Sequence, residues 1–248
     1  MKARTILGLD TSTLSISVAV VREVEGAWRV LARRDRGPTG PNHSSLLPTW
    51  IEEVLAEAGV RLAELDGIGV GIGPGGFTGL RISLATAKGL AYAARVPLAG
   101  VSTLEAMALQ ARGLVPEAGA IVPLLDARKK EVYAGFYLPD GSGVSGAPGR
   151  AADVVAPPQV VAGALADLPG PLVLLGEGYL AYRALFDEAT EGRRAPQVPG
   201  LCETPPAPEV AILAAGALQP FSKEALFALE PRYLRPWEAE HALAVTRR

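Results

Sequence analysis

Thr5-Ile-Leu-Gly-Leu-Asp10-Thr-Ser-Thr-Leu-Ser15-Ile-Ser-Val-Ala-Val-Val21 reads as an apolar strand stopped by an aspartate, a polar turn, and a second, β-branched strand. A third strand is predicted over Trp28 to Arg34. Three strands so close in sequence, with no helix between them, predict an antiparallel meander. Further on, Ala120 to Leu125 is again an apolar run ending in an aspartate, Asp126, and a strand over Glu131 to Tyr137 follows it. No repeat is visible as sequence identity, yet the pattern strand, aspartate, strand occurs twice.

Between the two occurrences the periodicity alternates between helix and strand. Leu46, Leu47, Trp50, Ile51, Val54 and Leu55 fall at helical spacing and predict a helix over Ser44 to Ala58, with Pro48 in or near its first turn. A strand over Ile68 to Ile72, a helix over Phe77 to Ala94, a strand over Pro97 to Val101 and a helix over Thr103 to Ala111 complete an α/β order of β-β-β-α-β-α-β-α. Beyond Pro139 the chain is rich in Gly and Pro to about Pro158. A strand over Val173 to Leu175, a helical stretch over Tyr179 to Ala189, a linker-like segment and a helix over Pro208 to Leu218 follow.

Composition excludes several chemistries. The 248 residues carry 24 Lys+Arg against 26 Asp+Glu, a formal charge of −2, so nucleic-acid binding by charge alone is not expected. One cysteine, Cys202, excludes an internal disulfide framework and a Cys-rich zinc site. The two histidines, His43 and His241, have no second ligand at helical spacing, because Leu47 holds the i+4 position after His43. No metal site is therefore predicted. Asp10 breaks the N-terminal apolar run, and Arg81, Lys88 and Arg95 interrupt the least polar stretch, so a cytoplasmic protein with no membrane segment is expected.

Gly71-Ile-Gly73-Pro-Gly75-Gly76 contains G-x-G-x-x-G, but the next strand ends in Ser102-Thr103 where a dinucleotide fold needs an acid. The glycines still permit a tight strand-to-helix turn that exposes amides at a helix N-terminus, an anion site by type. Asp10-Thr11-Ser12-Thr13 could meet a metal-nucleotide or be an ordinary Asx turn. In the helix over Phe77 to Ala94, Gly79, Ser83, Ala87 and Ala91 recur at i+4 and flatten one side for close helix packing. Ile82, Ala85 and Gly89 lie elsewhere on it. With the apolar stripe around Trp50, they suggest a helix-on-helix protein interface.

Leu7-Gly-Leu-Asp10-Thr-Ser12, His43-Ser44 with Leu46-Leu47-Pro48, Gly73-Pro-Gly75-Gly-Phe77-Thr-Gly79-Leu-Arg81, Ala85-Thr-Ala-Lys88-Gly-Leu90-Ala91, Asp126-Ala-Arg128 with Glu131-Val-Tyr133, and Pro231-Arg-Tyr233-Leu-Arg235 together resemble the bacterial tRNA threonylcarbamoyladenosine biosynthesis family TsaB, also called YeaZ. The resemblance implies a two-lobed α/β fold of the sugar-kinase/Hsp70/actin-like (ASKHA) type, each lobe opening with a β-meander. Residues 1–102, completed by part of 207–248, would form the N-terminal lobe, and 103–206 a smaller, degenerate second lobe. Active relatives place glycines after the two aspartates to admit phosphates; here Thr11-Ser12 and Ala127-Arg128 stand instead. The catalytic paralogue family, TsaD, carries H-x-x-x-H where this chain has His43 and Leu47.

The implied role is a non-catalytic assembly subunit. It would pair with TsaD and support binding of the small ATPase TsaE in threonylcarbamoyl transfer to N6 of the tRNA adenosine beside the anticodon. The expected partner interface is Leu46, Trp50, Ile51 and Val54 with Arg81, Ile82, Ala85 and Gly89, and self-pairing is expected when the paralogue is absent. Asp10, Thr11, Ser12, Gly75 and Gly76 would be a vestigial nucleotide or anion site. No tightly bound cofactor is expected, and ATP or ADP binding belongs to the complex rather than to the isolated chain. Transfer RNA is expected to be met through the complex, with Arg193-Arg194, Arg232 and Arg235 as the cations able to contribute. The competing readings are an active ATPase or sugar-kinase-like enzyme using Asp10 and Asp126, a metallopeptidase, and a homodimeric scaffold for another client.

Overall fold

The computed structural model describes residues 3–37, 43–143, 153–195 and 206–234, with side chains from residue 46 in the second segment. β1 (Thr5–Asp10), β2 (Ile16–Val24) and β3 (Ala27–Arg36) form the meander, Thr5 opposite Arg22 and Asp10 opposite Ser17. α1 (His43–Glu57), β4 (Gly67–Gly73), α2 (Phe77–Ala94) and β5 (Leu98–Ser102) follow. Their sheet has the order β3-β2-β1-β4-β5, with β1, β4 and β5 parallel. Each parallel pair is joined through a helix, as a crossover requires.

α3 (Thr103–Leu114) leads to a second sheet built from β6 (Ala120–Arg128), β7 (Glu131–Gly135), β8 (Asp153–Ala156) and, after α4 (Pro158–Ala164), β9 (Leu172–Leu175). Its order is β8-β7-β6-β9, with β6 and β9 parallel and the other pairs antiparallel. That is the β3-β2-β1-β4 pattern of the first sheet, repeated. The twice-occurring strand and aspartate therefore mark two structurally equivalent units in a two-lobed α/β fold. α5 (Glu177–Ala181), α6 (Arg183–Ala189), α7 (Ala207–Ala217) and α8 (Lys223–Ala228) complete the chain.

β1 is buried at all six positions because both faces of the first sheet are covered. Leu7, Leu9, Val18 and Val20 pack with Leu47, Ile51 and Val54 of α1 and Leu84, Ala87 and Ala91 of α2. On the other face α7 lies across β1, β2, β4 and β5, and also touches α3. The second lobe closes its own core around Phe136, Tyr179 and Phe186.

The predicted helix over Tyr179 to Ala189 is two helices, parted where Tyr182 leaves helical geometry at φ −122° and ψ 31°. Pro48 is the sixth residue of α1 rather than part of its first turn. β8, α4 and α8 were not predicted. Each has at most seven residues, too few for a period to emerge. No described helix is long and apolar enough to cross a membrane.

Candidate functional site

The Asp10 turn is the first place where chemistry was expected. Asp10 is fully buried at the end of β1. Its Oδ1 accepts from the Ser12 amide at 2.7 Å, and its Oδ2 accepts from the Thr103 hydroxyl at 3.0 Å. Thr11 Oγ1 donates to the Gly79 carbonyl at 2.7 Å, and the Gly76 amide donates to the Ser12 carbonyl at 2.6 Å. The glycine turn between β4 and α2 is thus seated directly on the Asp10 turn. Side chains at Gly75 and Gly79 have no room: a Cβ there would lie 2.2 Å from the Ser12 carbonyl oxygen and 1.9 Å from that of Thr11. Asp10, Thr11, Ser12, Gly75 and Gly76 lie together. What they meet is one another. The carboxylate and the Gly76 amide both serve internal hydrogen bonds, while the Ser12 hydroxyl is buried with no hydrogen-bond partner among the described residues.

Asp126 repeats the local geometry in the second lobe. Its Oδ1 accepts from the Arg128 amide at 2.8 Å, again two residues on, and its Oδ2 pairs with Arg128 Nη1 at 2.9 Å. Arg128, Lys129 and Lys130 all have positive φ, at 60°, 52° and 63°. A glycine-containing α5 start, Gly176 and Gly178, packs on Leu124 and Leu125 as the β4–α2 turn packs on the first aspartate. Burial raises the carboxyl pKa of Glu177 in this turn, with Asp126 adding to the effect and Arg128 opposing it.

The expected partner surface divides into two groups. Ile51 and Val54 are 3% and 0% exposed, and they face the chain's own core. Leu46 and Trp50 are half-buried against that core; Ile82 is half-buried, while Arg81, Ala85 and Gly89 are exposed. The i+4 stripe of Gly79, Ser83, Ala87 and Ala91 corrects an expectation. All four are buried in the first lobe, so the flat side serves internal packing, and the outward side is the Ala85–Gly89 side. Leu47 is fully buried. Cys202, His241 and Arg235 lie outside the described residues.

The arginines expected to be available for RNA are engaged. Arg193 donates to the carbonyls of Leu165, Ala166 and Leu168, and Arg194 pairs with Asp187. Arg232 pairs with Asp153 at 2.6 Å.

That last pair belongs to a cluster the sequence reading missed. The Asp153 side chain, 1% exposed, also accepts from Ser102 Oγ at 2.8 Å and Tyr137 Oη at 2.5 Å. It joins the first sheet, the second sheet and the C-terminal segment at one carboxylate. Burial, reinforced by Asp153, raises the Tyr137 phenol far above its ordinary range, so it stays a donor. Burial, then Asp153, also raises the Glu105 carboxyl, against the opposing pull of Arg232. The only signal in the sequence was the Pro231-Arg232-Tyr233 match, far along the chain from the other members. Among the described residues no group of three or more His, Cys, Asp or Glu side chains could hold a metal ion.

Residues 38–242 match the family model of TsaD, the tRNA N6-adenosine threonylcarbamoyltransferase. The tRNA threonylcarbamoyladenosine biosynthesis protein TsaB of Escherichia coli is 32% identical over 188 residues, covering 74% of this chain and 76% of that protein. Among solved structures, a Pseudomonas aeruginosa protein described as similar to peptidase YeaZ superposes with a TM-score of 0.68 at 29% identity, covering 94% of this chain and all of that one. YeaZ from the same organism gives 0.64 at 28%, covering 93% and 100%.

Proposed function

The chain belongs to the TsaB (YeaZ) family, and we propose that it serves tRNA threonylcarbamoyladenosine formation as a non-catalytic subunit that pairs with the catalytic paralogue TsaD. A part in that biosynthesis follows from the family. The division of labour rests on the Asp10 turn. There the carboxylate that an ATPase or sugar kinase would turn toward a metal-nucleotide is buried and hydrogen-bonded to Ser12 and Thr103. The turn that would cradle phosphates is packed against the Ser12 and Thr11 carbonyls. Opening that site would require α2 to leave the first lobe.

Pairing uses the outward sides of α1 and α2. Arg81, Ala85 and Gly89 present a cation and two small residues to solvent, and Leu46 and Trp50 of α1 are partly exposed. A surface of small residues lets a partner helix approach closely, while the half-exposed Trp50 supplies an aromatic anchor. The same surface is available to a second copy, so the free chain self-pairs and the paralogue displaces that copy. TsaE then binds the assembled pair, and tRNA reaches this subunit through the complex.

Sedimentation or size-exclusion chromatography of the chain with and without TsaD tests this reading. The account expects a self-paired species that converts to a one-to-one complex. Two chains that elute separately, each with its profile unchanged by the other, would overturn it.

A further inference from the structure

The C-terminal residues Pro231 to Tyr233 belong to no helix or strand, yet they are held in place. The Arg232 amide donates to the Ile72 carbonyl of β4 at 2.7 Å, while its side chain reaches the Asp153 carboxylate. The next residue, Tyr233, stacks on Phe77 at the start of α2, with ring centroids 5.5 Å apart. Tyr233 Oη accepts from Arg81 Nε at 3.1 Å, and the Arg81 guanidinium lies 3.7 Å from the Phe77 ring centroid. Phe77 and Tyr233 are each 44% exposed, so the stack adds little to the core.

We propose that Tyr233 and Arg232 are positioning residues for Arg81, holding it as a preset cationic anchor on the partner-facing side of α2. The inference deepens the pairing reading and rests on it. Arginine has five N–H donors in a planar fork. Nε–H is given to Tyr233 and one face to Phe77, and the exposed side chain keeps its two terminal nitrogens for the acceptors of a partner. An arginine fixed before encounter loses less side-chain freedom on binding than one free to rotate. Asp153 ties the anchor to the second lobe, because the ion pair that fixes Arg232 also fixes where Tyr233 begins.

Two readouts on the full chain test the proposal. The first is the Arg81 Nε–H resonance of the free protein, shifted by the Phe77 ring and protected from exchange in the wild type. Tyr233→Ala should return it to the position of a solvated arginine, and Arg232→Met should broaden it. The second is calorimetric affinity for TsaD. Tyr233→Ala should weaken it about fivefold. Tyr233→Phe, which keeps the stack, should recover about half of that loss on a logarithmic scale. Arg81→Ala should weaken binding about tenfold, and Arg81→Ala/Tyr233→Ala should stay within about twofold of it, because the two act as one unit.

An unchanged resonance in Tyr233→Ala overturns the positioning role. So does a full Tyr233→Ala effect on affinity when Arg81 is already alanine, or an affinity that falls with Arg81→Ala and not with Tyr233→Ala. A wild-type chain that does not bind TsaD refutes the pairing reading instead, and the resonance alone then decides whether Tyr233 holds Arg81.

Discussion

Two glycines ten residues apart on α2 should respond to alanine with opposite signs. A Cβ at Gly79 would sit 1.9 Å from the Thr11 carbonyl oxygen, so α2 and the Asp10 turn must separate by about 1 Å before the contact is tolerable. Both groups are backbone, and neither can swing away. Separation loosens the Thr11 hydroxyl bond to the Gly79 carbonyl and the Gly76 amide bond to Ser12. Two weakened hydrogen bonds, the one from Thr11 buried, and overpacking amount to about 3 kcal/mol, against a helix-propensity gain of about 1 kcal/mol. Gly79→Ala should therefore lose about 2 kcal/mol net and lower Tm by roughly 4–8 °C in a chain of this length. At Gly89 nothing lies within 4 Å of an added Cβ and the residue is exposed, so Gly89→Ala should gain about 1 kcal/mol, raising Tm by roughly 2–4 °C. Scanning calorimetry of the three proteins under identical buffer decides the matter. Stabilisation by Gly79→Ala, or destabilisation by Gly89→Ala, would refute the assignment of the two sides. In binding, Gly89→Ala should weaken association with TsaD while stabilising the free chain.

Asp10→Ala strips acceptors from the Ser12 amide and the Thr103 hydroxyl, and should cost about 3 kcal/mol in denaturant unfolding. Mg-ATP titrated into the isolated wild-type chain should give no saturable heat; binding that Asp10→Ala abolishes would restore the nucleotide reading. Trp50→Ala should weaken TsaD binding at least about tenfold, with about 2 kcal/mol lost in stability because the ring is half in the core. Stability lost with affinity intact would assign Trp50 to the fold alone. Glu209 is the pH probe: burial raises its carboxyl pKa, and its Oε2 has no hydrogen-bond partner among the described residues. A raised carboxyl favours the protonated folded state. Its penalty is therefore absent below the ordinary value of 4.5, grows as pH rises from there to the raised folded value, and is constant above it. Glu209→Gln should accordingly stabilise by about 1 kcal/mol at pH 7.5 and by almost nothing at pH 4. A gain that is the same at both pH values would contradict the burial argument.

The parts of this fold that a period could reveal were legible. α2 occupies the predicted 77–94 span, and the meander is announced by three β-rich runs with no room for helices between them. The repeated strand and aspartate also carried the second lobe's topology, since the turn after each aspartate closes by the same i+2 hydrogen bond. Which side of α2 faces inward was not legible. Both sides are small or apolar, and the buried one is selected only by tertiary packing, the Thr11 carbonyl against Gly79 and the first-lobe core around Ala87 and Ala91. Ile51 and Val54 illustrate the same limit: a wide apolar stripe can serve a core or a partner with identical spacing. The Asp153 cluster could not be read at all. Its members at positions 102, 137, 153 and 232 meet only once two sheets and the C-terminal segment are packed, and nothing local marks them as neighbours.

The central claim is that this chain is needed for threonylcarbamoyl transfer without performing it. Purified TsaD and TsaE, threonylcarbamoyl adenylate, ATP and unmodified tRNA, assayed with and without this chain, test it most directly. The account predicts modified tRNA only when the chain is present, and undiminished yield at saturating concentration of a folded chain whose Asp126 is replaced by asparagine. Full modification in its absence would contradict it.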